Sequence, residues 1–316
     1  MSFKDLKKQS QLGVLAEKLT NALNEKSYKT DDRLWKPQMD KSGTGYAVIR
    51  FLPAPEGEEK PFAKVYKHGF QGPGGWYIQN CLTTLGQSDP VVEHNKTLVQ
   101  KYAEGDYQAF LKVAPSSVVA AVKNQNRQTK YYSNILVIKD PVNPENEGKH
   151  FIYEYGPAIF KKIAAAMKPE FEDEEAIDPF DLWKGANFKL KIVKKGGYWN
   201  YDNSEFDSPS ELFGGDDDAL EALYEKLYSL EAFTAPSEFE TYENLKNRLN
   251  AVLGLSSEST VEKQEDELNE IMNNSERSSV TEELETAYQN SVSDDDDDDD
   301  EEVDEALKDF ESLLNN

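Results

Sequence analysis

The chain has 316 residues, of which 38% are hydrophobic and 30% are charged, and its formal net charge at pH 7 is −25. Its single cysteine, Cys81, excludes an internal disulfide, and its first charges are followed by no apolar stretch, so we expect a reducing, cytoplasmic setting. The richest apolar window, Val118–Val122, is far shorter than the ~20 apolar residues of a membrane span, so membrane residence is not expected.

The charge is divided very unevenly along the chain. Met1–Ser210 carries 29 Lys and Arg against 27 Asp and Glu, a net charge of +2, whereas Glu211–Asn316 carries 6 against 33, a net charge of −27. Asp294–Asp300 is a run of seven aspartates, which cannot collapse because neighbouring like charges repel. Such a run is either a solubility tail or a tethered polyanion that occupies a surface meant for nucleic acid. The basic and aromatic stretches of the body favour the second interpretation.

Residues 2–24 form the first predicted element, a short basic helix or arm. Leucines recur at spacings of three to six residues, with Lys4, Lys7 and Lys8 at the front. Because so short a helix is marginal by itself, an adjacent protein copy is one candidate for the surface that holds it. Strands are predicted next, at Tyr46–Leu52, Phe62–Tyr66 and Trp76–Ile78, with a Gly- and Pro-rich turn before the third.

The remainder of the body alternates strands with helices. Leu98–Val122 is predicted to be helical in part, with an interruption at Pro115. Further strands are predicted at Tyr131–Lys139, Phe151–Tyr155 and Asn187–Lys194, and helices at Pro157–Met167, Asp218–Leu230 and Ser237–Leu253, the last capped by Ser237 and ended by Gly254. After Ser256 the chain is rich in Ser, Glu, Asn and Asp, and we predict disorder there.

Three stretches, residues 123–132, 151–155 and 189–201, carry cations, aromatic rings or both. Single-stranded DNA presents phosphates with bare base faces between them, so a groove that binds it without sequence preference needs cations and stacking rings. Strand alternation places Tyr153 and Tyr155 on one face and directs a lysine-bearing face of residues 189–194 toward solvent. For any single tyrosine, ordinary core packing is the competing interpretation.

A second cluster of candidate residues comprises His68, Cys81 and His94, with twelve residues between each successive pair. Imidazole and thiolate suit a tetrahedral zinc ion, which needs four ligands, and Asp89 or Glu93 could complete the set. No CxxC or HxxxH pair makes the pattern specific. A buried cysteine beside two ordinary histidines is therefore the favoured interpretation.

The sequence carries no signature of catalysis: it has no P-loop glycine run, no GxSxG and no HExxH. Asp173 and Asp178 are an acidic pair of the kind that holds magnesium in nucleases, but they lie in a charge-rich loop and are expected to be solvated. We therefore predict that the chain is not an enzyme.

An ordered series of short segments resembles the single-stranded DNA-binding, helix-destabilising proteins of T-even-type bacteriophages. The matching segments are Ala47–Pro53, His68–Phe70, Trp76–Ile78, Tyr131–Pro141, Pro144–Lys149, Trp183–Phe188 and Asn200–Asp202. The resemblance implies an α+β fold, with an OB-fold-like β-barrel core, a small subdomain, flanking helices and a disordered acidic C-terminal tail. The implied domains are a basic arm over residues 1–24, a core over 25–254 with an embedded subdomain around 62–96, and a protein-interaction tail over 255–316.

The resemblance also implies roles for individual residues. The arm, with Lys4, Lys7 and Lys8, would serve cooperative self-association. Residues implied to lie near DNA are Arg127, Lys130, Tyr131, Tyr132, Tyr153, Tyr155, Tyr198 and Tyr201, to which the basic stretch itself adds Lys191, Lys194, Lys195 and Trp199.

The family's zinc site has one His and three Cys. Aligned onto it, His68 and Cys81 keep their places, His94 stands where the last Cys would be, and Val91 stands where the third would be. Because valine cannot coordinate a metal, we expect this subdomain to hold together by packing, or to bind zinc weakly through a substitute carboxylate.

We predict a non-enzymatic coat for single-stranded DNA in phage replication, recombination and repair, located in the cytoplasm of the infected bacterial host. The acidic tail would compete with DNA and recruit phage replication and recombination proteins through its leucine-bearing end, Asp309–Leu314. Two alternatives remain open: an acidic chaperone or DNA mimic that binds a basic protein, and a metal-dependent nuclease. The first predicts that the tailless body has negligible affinity for oligonucleotides, and the second predicts cleavage with magnesium.

Overall fold

The computed structural model describes residues 31–255, apart from 41–42, 170, 172–174 and 196–197. The predicted arm over 1–24 and the tail after Leu255 lie outside the described residues. The chain divides into two compact units, Met1–Trp35 and Lys36–Asn316. In the described part of the first unit, Arg33 Nη2 and Asp31 Oδ2 form an ion pair at 2.7 Å, and Leu34–Trp35 is a short strand, β1.

The second unit is built on an antiparallel sheet. Its strands are β2 (Gly45–Phe51), β3 (Ala63–Gly72), β4 (Gly75–Asn80), β5 (Gln128–Lys139), β6 (His150–Tyr155), β7 (Phe188–Lys195), β8 (Tyr198–Asn200) and β9 (Glu205–Phe206). Strand β5 pairs with β6 along one edge and with β3 and then β2 along the other. Strand β2 continues the sheet to β7, which pairs with β8 and β9, and β3 pairs with β4. The predicted strands are therefore present, most of them slightly longer than expected.

Glycines at the β3–β4 turn allow a helix to pack closely against it. A Cβ atom on Gly72 would lie 2.4 Å from the carbonyl oxygen of Val252, and one on Gly74 would lie 2.1 Å from that of Ala251. Real Cβ atoms do not approach backbone so closely, so these two positions require glycine. The turn thereby brings the C-terminal helix of the described chain onto the hairpin.

Six helices are described: α1 (Pro90–Ala103), α2 (Tyr107–Val113), α3 (Ser116–Gln125), α4 (Pro157–Met167), α5 (Asp217–Tyr224) and α6 (Tyr242–Leu253). The predicted helical region over 98–122 is thus parts of three helices, with Pro115 at the start of α3 as expected. Two predictions were wrong. Helix α5 ends at Tyr224, well before Leu230, and Ser237 caps no α-helix because it lies in the 3-10 turn Pro236–Glu238, so Thr241 caps α6 instead.

Among the described residues, several apolar clusters hold these elements together. The first joins the hairpin to α6 and contains Phe70, Tyr77, Leu82, Val91, Leu245, Leu249 and Val252. The second contains Leu52, Leu136, Leu182, Leu212, Leu220 and Leu223, and the third joins α1, α2 and α3 through Val99, Phe110 and Val122. The described residues therefore form an α+β fold, as predicted. In this part of the chain, no helix has the length and apolar character needed to cross a membrane.

Candidate nucleic-acid interface

The tyrosines of the β5–β6 ladder lie in the core. Tyr131 pairs with Tyr155 and Ser133 pairs with Tyr153, so all four side chains are on one face of the sheet. The ring of Tyr131 stacks on Phe160 of α4 with centroids 4.1 Å apart and lies 5.7 Å from the ring of Tyr155. Tyr131, Tyr153 and Tyr155 are at most 3% exposed. The expectation that these three rings stack on DNA is therefore not met, because α4 and neighbouring rings already cover them.

Burial also determines the protonation state of Tyr155 in this ladder. The hydroxyl groups of Tyr155 and Ser133 are 2.9 Å apart and form a hydrogen bond. Burial raises the pKa of Tyr155 well above its ordinary value, and the bond to Ser133 only partly offsets this. The phenol is thus neutral and internally bonded, as expected for a core residue.

The opposite face of β5 carries a partly covered charge cluster formed by Lys67, Lys130, Tyr132 and Glu154, in which the side chains of Lys67 and Glu154 are 31% and 32% exposed. Tyr132 stacks on Phe233 with centroids 4.3 Å apart, and its hydroxyl donates a short hydrogen bond to Glu154 Oε2. Lys67 Nζ lies 2.9 Å from the same oxygen. Burial raises the pKa of Glu154, but Lys67 and Lys130 outweigh that effect and lower it to about 2. Lys130 and Tyr132 are only 4% and 2% exposed, so the structure gives these two predicted DNA ligands a packing role.

Arg127 belongs to an accessible group on the β3 side of the sheet, which we call the Tyr66 cluster (Lys64, Tyr66 and Arg127). The guanidinium carbon of Arg127 lies 3.9 Å from the centroid of the Tyr66 ring, and Lys64 Nζ lies 5.1 Å from it. Arg127 Nη1 donates to Thr83 Oγ1 at 3.1 Å, which orients the guanidinium. All three cluster residues are partly exposed. The cluster therefore presents two cations around one ring.

Lys64 and Tyr66 were missed by sequence reasoning, although a signal was present. The segment Lys64-Val65-Tyr66-Lys67 alternates in a strand, so Lys64 and Tyr66 share a face while Val65 points the other way. The strand predicted over Phe62–Tyr66 contains both residues, and its alternation is the signal that identifies Tyr66 as a candidate stacking ring.

The second accessible group lies on the β7–β8 hairpin, and we call it the Trp199 cluster (Lys194, Lys195 and Trp199). Lys194 is directly opposite Trp199 in the ladder, and its Nζ lies 5.6 Å from the centroid of the indole ring. Lys194 and Lys195 are exposed, and Trp199 is partly exposed. Of the other residues predicted here, Lys191 and Tyr201 are partly exposed, and Tyr198 pairs with Lys195 through the backbone. This hairpin keeps the predicted combination of cations and rings at the surface.

The two accessible clusters lie toward opposite ends of the strands. Tyr66 pairs with Thr129 at the start of β5, whereas Val48 of β2 pairs with Lys139 at its end. The pair formed by Gly45 and Ile192 lies beyond that end of β5, and Lys194 follows Ile192 by two residues in the same direction. A ligand that contacts both clusters must therefore extend along the sheet.

His68 and Cys81 meet in the core together with Asp89. One ligand atom of each lies within 4.8 Å of the others, and all three residues are buried. The Nδ1 atom of His68 is 3.0 Å from the carbonyl oxygen of Gln125, and its Nε2 atom is 3.3 Å from Asp89 Oδ1. Burial lowers the pKa of His68, but interactions with Asp89 and Cys81 outweigh this and raise it to about 9.

This group differs from the predicted zinc ligands in one member. The structure brings His68 and Cys81 together, as expected, but the third member is Asp89, the N-cap of α1, and not His94. His94 lies further along α1, where burial lowers its pKa. Val91 is fully buried in the apolar cluster of the hairpin and α6. A closed zinc site needs four ligands, so the three residues present do not complete the site that the resemblance implied.

Comparison with known proteins confirms the family resemblance. The family model described as "gp32 DNA binding protein like" matches residues 43–253. The "Single-stranded DNA-binding protein" of Enterobacteria phage T2 is 35% identical over 257 residues, which are 79% of this chain and 80% of that protein. Its namesake in Enterobacteria phage T4 is 35% identical over 253 residues, 78% of this chain and 79% of that protein. This chain therefore belongs to the gp32-like family of DNA-binding proteins.

Proposed function

We propose that this chain binds single-stranded DNA, without strong sequence preference, as a non-enzymatic coat protein in phage replication, recombination and repair. The observation that carries the proposal is 35% identity, over most of the chain, to phage proteins whose names state single-stranded DNA binding. The Tyr66 and Trp199 clusters support it, because each combines cations with an accessible ring. Each stacked base would contribute roughly 1–3 kcal/mol, and each neutralised phosphate would add about 0.7 to the salt slope.

The domain roles follow the same proposal. The antiparallel sheet would be an OB-type core that carries both accessible clusters, and residues around 62–96 would form its subdomain. Lys4, Lys7 and Lys8 of the arm would contact a neighbouring copy, which makes binding cooperative. The acidic tail over 255–316 would compete with DNA and recruit replication and recombination proteins in the cytoplasm of the infected host.

The test is a titration with oligothymidylate at several salt concentrations, using the full chain and a variant that lacks residues 256–316. We expect the shortened variant to bind more tightly at low salt, with a difference that shrinks as salt screens the tail. Unchanged or weaker affinity at low salt would overturn tail competition. If neither protein binds, the acidic chaperone or DNA mimic becomes the better account.

The same samples test the nuclease alternative when they are incubated with magnesium and the strand is analysed for cleavage. We expect an intact strand. Within the described ranges, Asp178 is not a member of any group of three or more potential metal ligands, and its Oδ1 accepts a hydrogen bond from the backbone of Phe180 at 3.0 Å.

A further inference from the structure

We infer that this chain has replaced the zinc ion of its family with a metal-free polar core, in which His68, Asp89 and Cys81 join the β3–β4 hairpin to helices α1 and α3. The inference concerns stability and stands whether or not the proposed DNA binding is correct. Two observations support it: only three potential metal ligands meet among the described residues, and each of them already contacts other protein groups.

The carboxylate of Asp89 already accepts hydrogen bonds from three backbone amides. Its Oδ1 atom accepts hydrogen bonds from Val91 N at 2.9 Å and Val92 N at 3.3 Å, which caps α1. Its Oδ2 atom accepts from Leu82 N at 3.1 Å. A zinc ion would need one of these oxygens at about 2.0–2.2 Å. Oδ1 already accepts two hydrogen bonds, so coordination through it would compete with the bonds that cap α1.

The imidazole of His68 bonds to protein on one side and faces a carboxylate on the other, where its Nε2 atom makes no hydrogen bond to any described residue. Its Nδ1 atom donates to the carbonyl oxygen of Gln125, the last residue of α3, at 3.0 Å. Its Nε2 atom faces Asp89 Oδ1 at 3.3 Å, a distance within the range of an ion pair. Both side chains are essentially unexposed. A buried imidazole that is paired with a carboxylate and bonded to a backbone carbonyl links two helices without any metal.

The thiol of Cys81 also has a protein partner. Its Sγ atom lies 3.1 Å from Thr83 Oγ1, and the same hydroxyl accepts the hydrogen bond from Arg127. The polar core is therefore continuous with the Tyr66 cluster through Thr83. These contacts cross-link the β3–β4 hairpin to α1 and α3, as a structural metal would, with His68 Nε2 and Gln125 Oε1 left without hydrogen bonds among the described residues.

The decisive measurement is the metal content of the full-length protein after desalting, combined with its melting temperature in EDTA and in added zinc chloride. We expect substoichiometric zinc and a melting temperature that neither reagent changes. One zinc per chain that survives desalting, or a melting temperature that falls in EDTA, would overturn the inference, because a structural zinc contributes directly to folding.

A gain-of-metal variant provides the matched positive control. Val92 is the third residue of α1, and side chains at the cap and third positions of a helix face each other, as in a capping box. The double substitution Asp89→Cys with Val92→Cys would supply one His and three Cys. We expect this variant to bind cobalt with the absorption of thiolate coordination, while the parent protein shows none. Thiolate–cobalt absorption in the parent would contradict the inference.

Two single variants separate the polar core from a metal site. Asp89→Asn should lower the melting temperature by several degrees, equally with and without EDTA, because it removes the charge that faces His68. Asp106→Asn is the control, since Asp106 caps α2 in the same way and asparagine caps about as well as aspartate.

Cys81→Ser should lower the melting temperature less than Asp89→Asn does, because serine can keep the hydrogen bond to Thr83. If Cys81→Ser is the most damaging of the three and removes sensitivity to EDTA, Cys81 is a metal ligand and the inference is wrong.

Discussion

The β5–β6 ladder and the β7–β8 hairpin contain the same types of residue, yet only the hairpin presents them at the surface. In the ladder, Tyr131 is stacked against Phe160 of α4, and Lys130 is 4% exposed. In the β7–β8 hairpin, Lys194 and Lys195 are exposed, and Lys194 Nζ lies 5.6 Å from the centroid of the partly exposed Trp199 ring. The comparison shows that strand alternation determines which side chains share a face, whereas the packing of a helix determines whether that face is accessible.

The largest expected effect distinguishes a core ring from a DNA ligand. We expect Tyr131→Ala to lower the free energy of unfolding by about 3–5 kcal/mol, because it removes a buried ring and leaves a cavity. Urea denaturation measures the loss, and Tyr131→Phe is the control that keeps the ring. Near-normal stability combined with a large loss of affinity for oligothymidylate would mean that the ladder binds DNA after all.

Substitution in the β7–β8 hairpin should lower affinity for DNA and leave stability nearly unchanged. Trp199→Ala should weaken binding to oligothymidylate by roughly 5- to 150-fold, which corresponds to about 1–3 kcal/mol for one stacked base. Trp183→Ala is the matched control, because Trp183 is 50% exposed but lines a groove with Asp178, Asp181 and Glu221, whose carboxylates repel phosphate. An equal loss in the two variants would show that exposure alone explains the effect.

The salt dependence of binding sharpens the comparison between lysines. Replacing both Lys194 and Lys195 by alanine should reduce the slope of log affinity against log salt by up to about 1.4, since each phosphate contact contributes about 0.7. Lys184→Ala, which removes an exposed lysine beside Trp183, should leave the slope unchanged. An unaltered slope in the double variant would remove the hairpin lysines from the interface.

The smallest expected effect is a pH dependence of stability that arises from Glu154. Its pKa is lowered from 4.5 to about 2 in the folded chain, so the ionised form stabilises the protein above about 4.5, and this contribution is lost as pH falls toward 2. Urea denaturation of the parent and of Glu154→Gln should therefore show a difference that shrinks over this interval. A difference that stays constant would mean that ionisation of Glu154 does not stabilise the folded chain.

Much of the fold could be predicted because local signals agreed with tertiary packing. Helix α4 has the predicted bounds, Pro157–Met167, since proline suits the first turn of a helix and apolar residues recur at its period. The long strand β5 also matched, because its apolar and β-branched residues are buried nearly throughout. The local sequence of these two elements already favours the structure that they adopt.

The failures have a different origin, because each depends on a contact that sequence spacing does not specify. Thr241 rather than Ser237 caps α6, because Ser237 lies in a 3-10 turn that ends before the helix begins. Asp89, which was predicted as a possible additional ligand, joins His68 and Cys81 because the start of α1 packs beside the β3–β4 hairpin, whereas His94 does not join them. Tyr153 and Tyr155 share a face, as strand alternation predicts, but the pairing of Tyr131 with Tyr155 and the cover provided by α4 were not predicted.

The central claim is that DNA contacts the Tyr66 and Trp199 clusters and not the buried tyrosine ladder. Ultraviolet crosslinking of the full-length protein to oligothymidylate, followed by mass spectrometry of the crosslinked peptides, tests it most directly. We predict crosslinks at Tyr66 and Trp199. Crosslinks confined to Tyr131, Tyr153 and Tyr155 would contradict the claim.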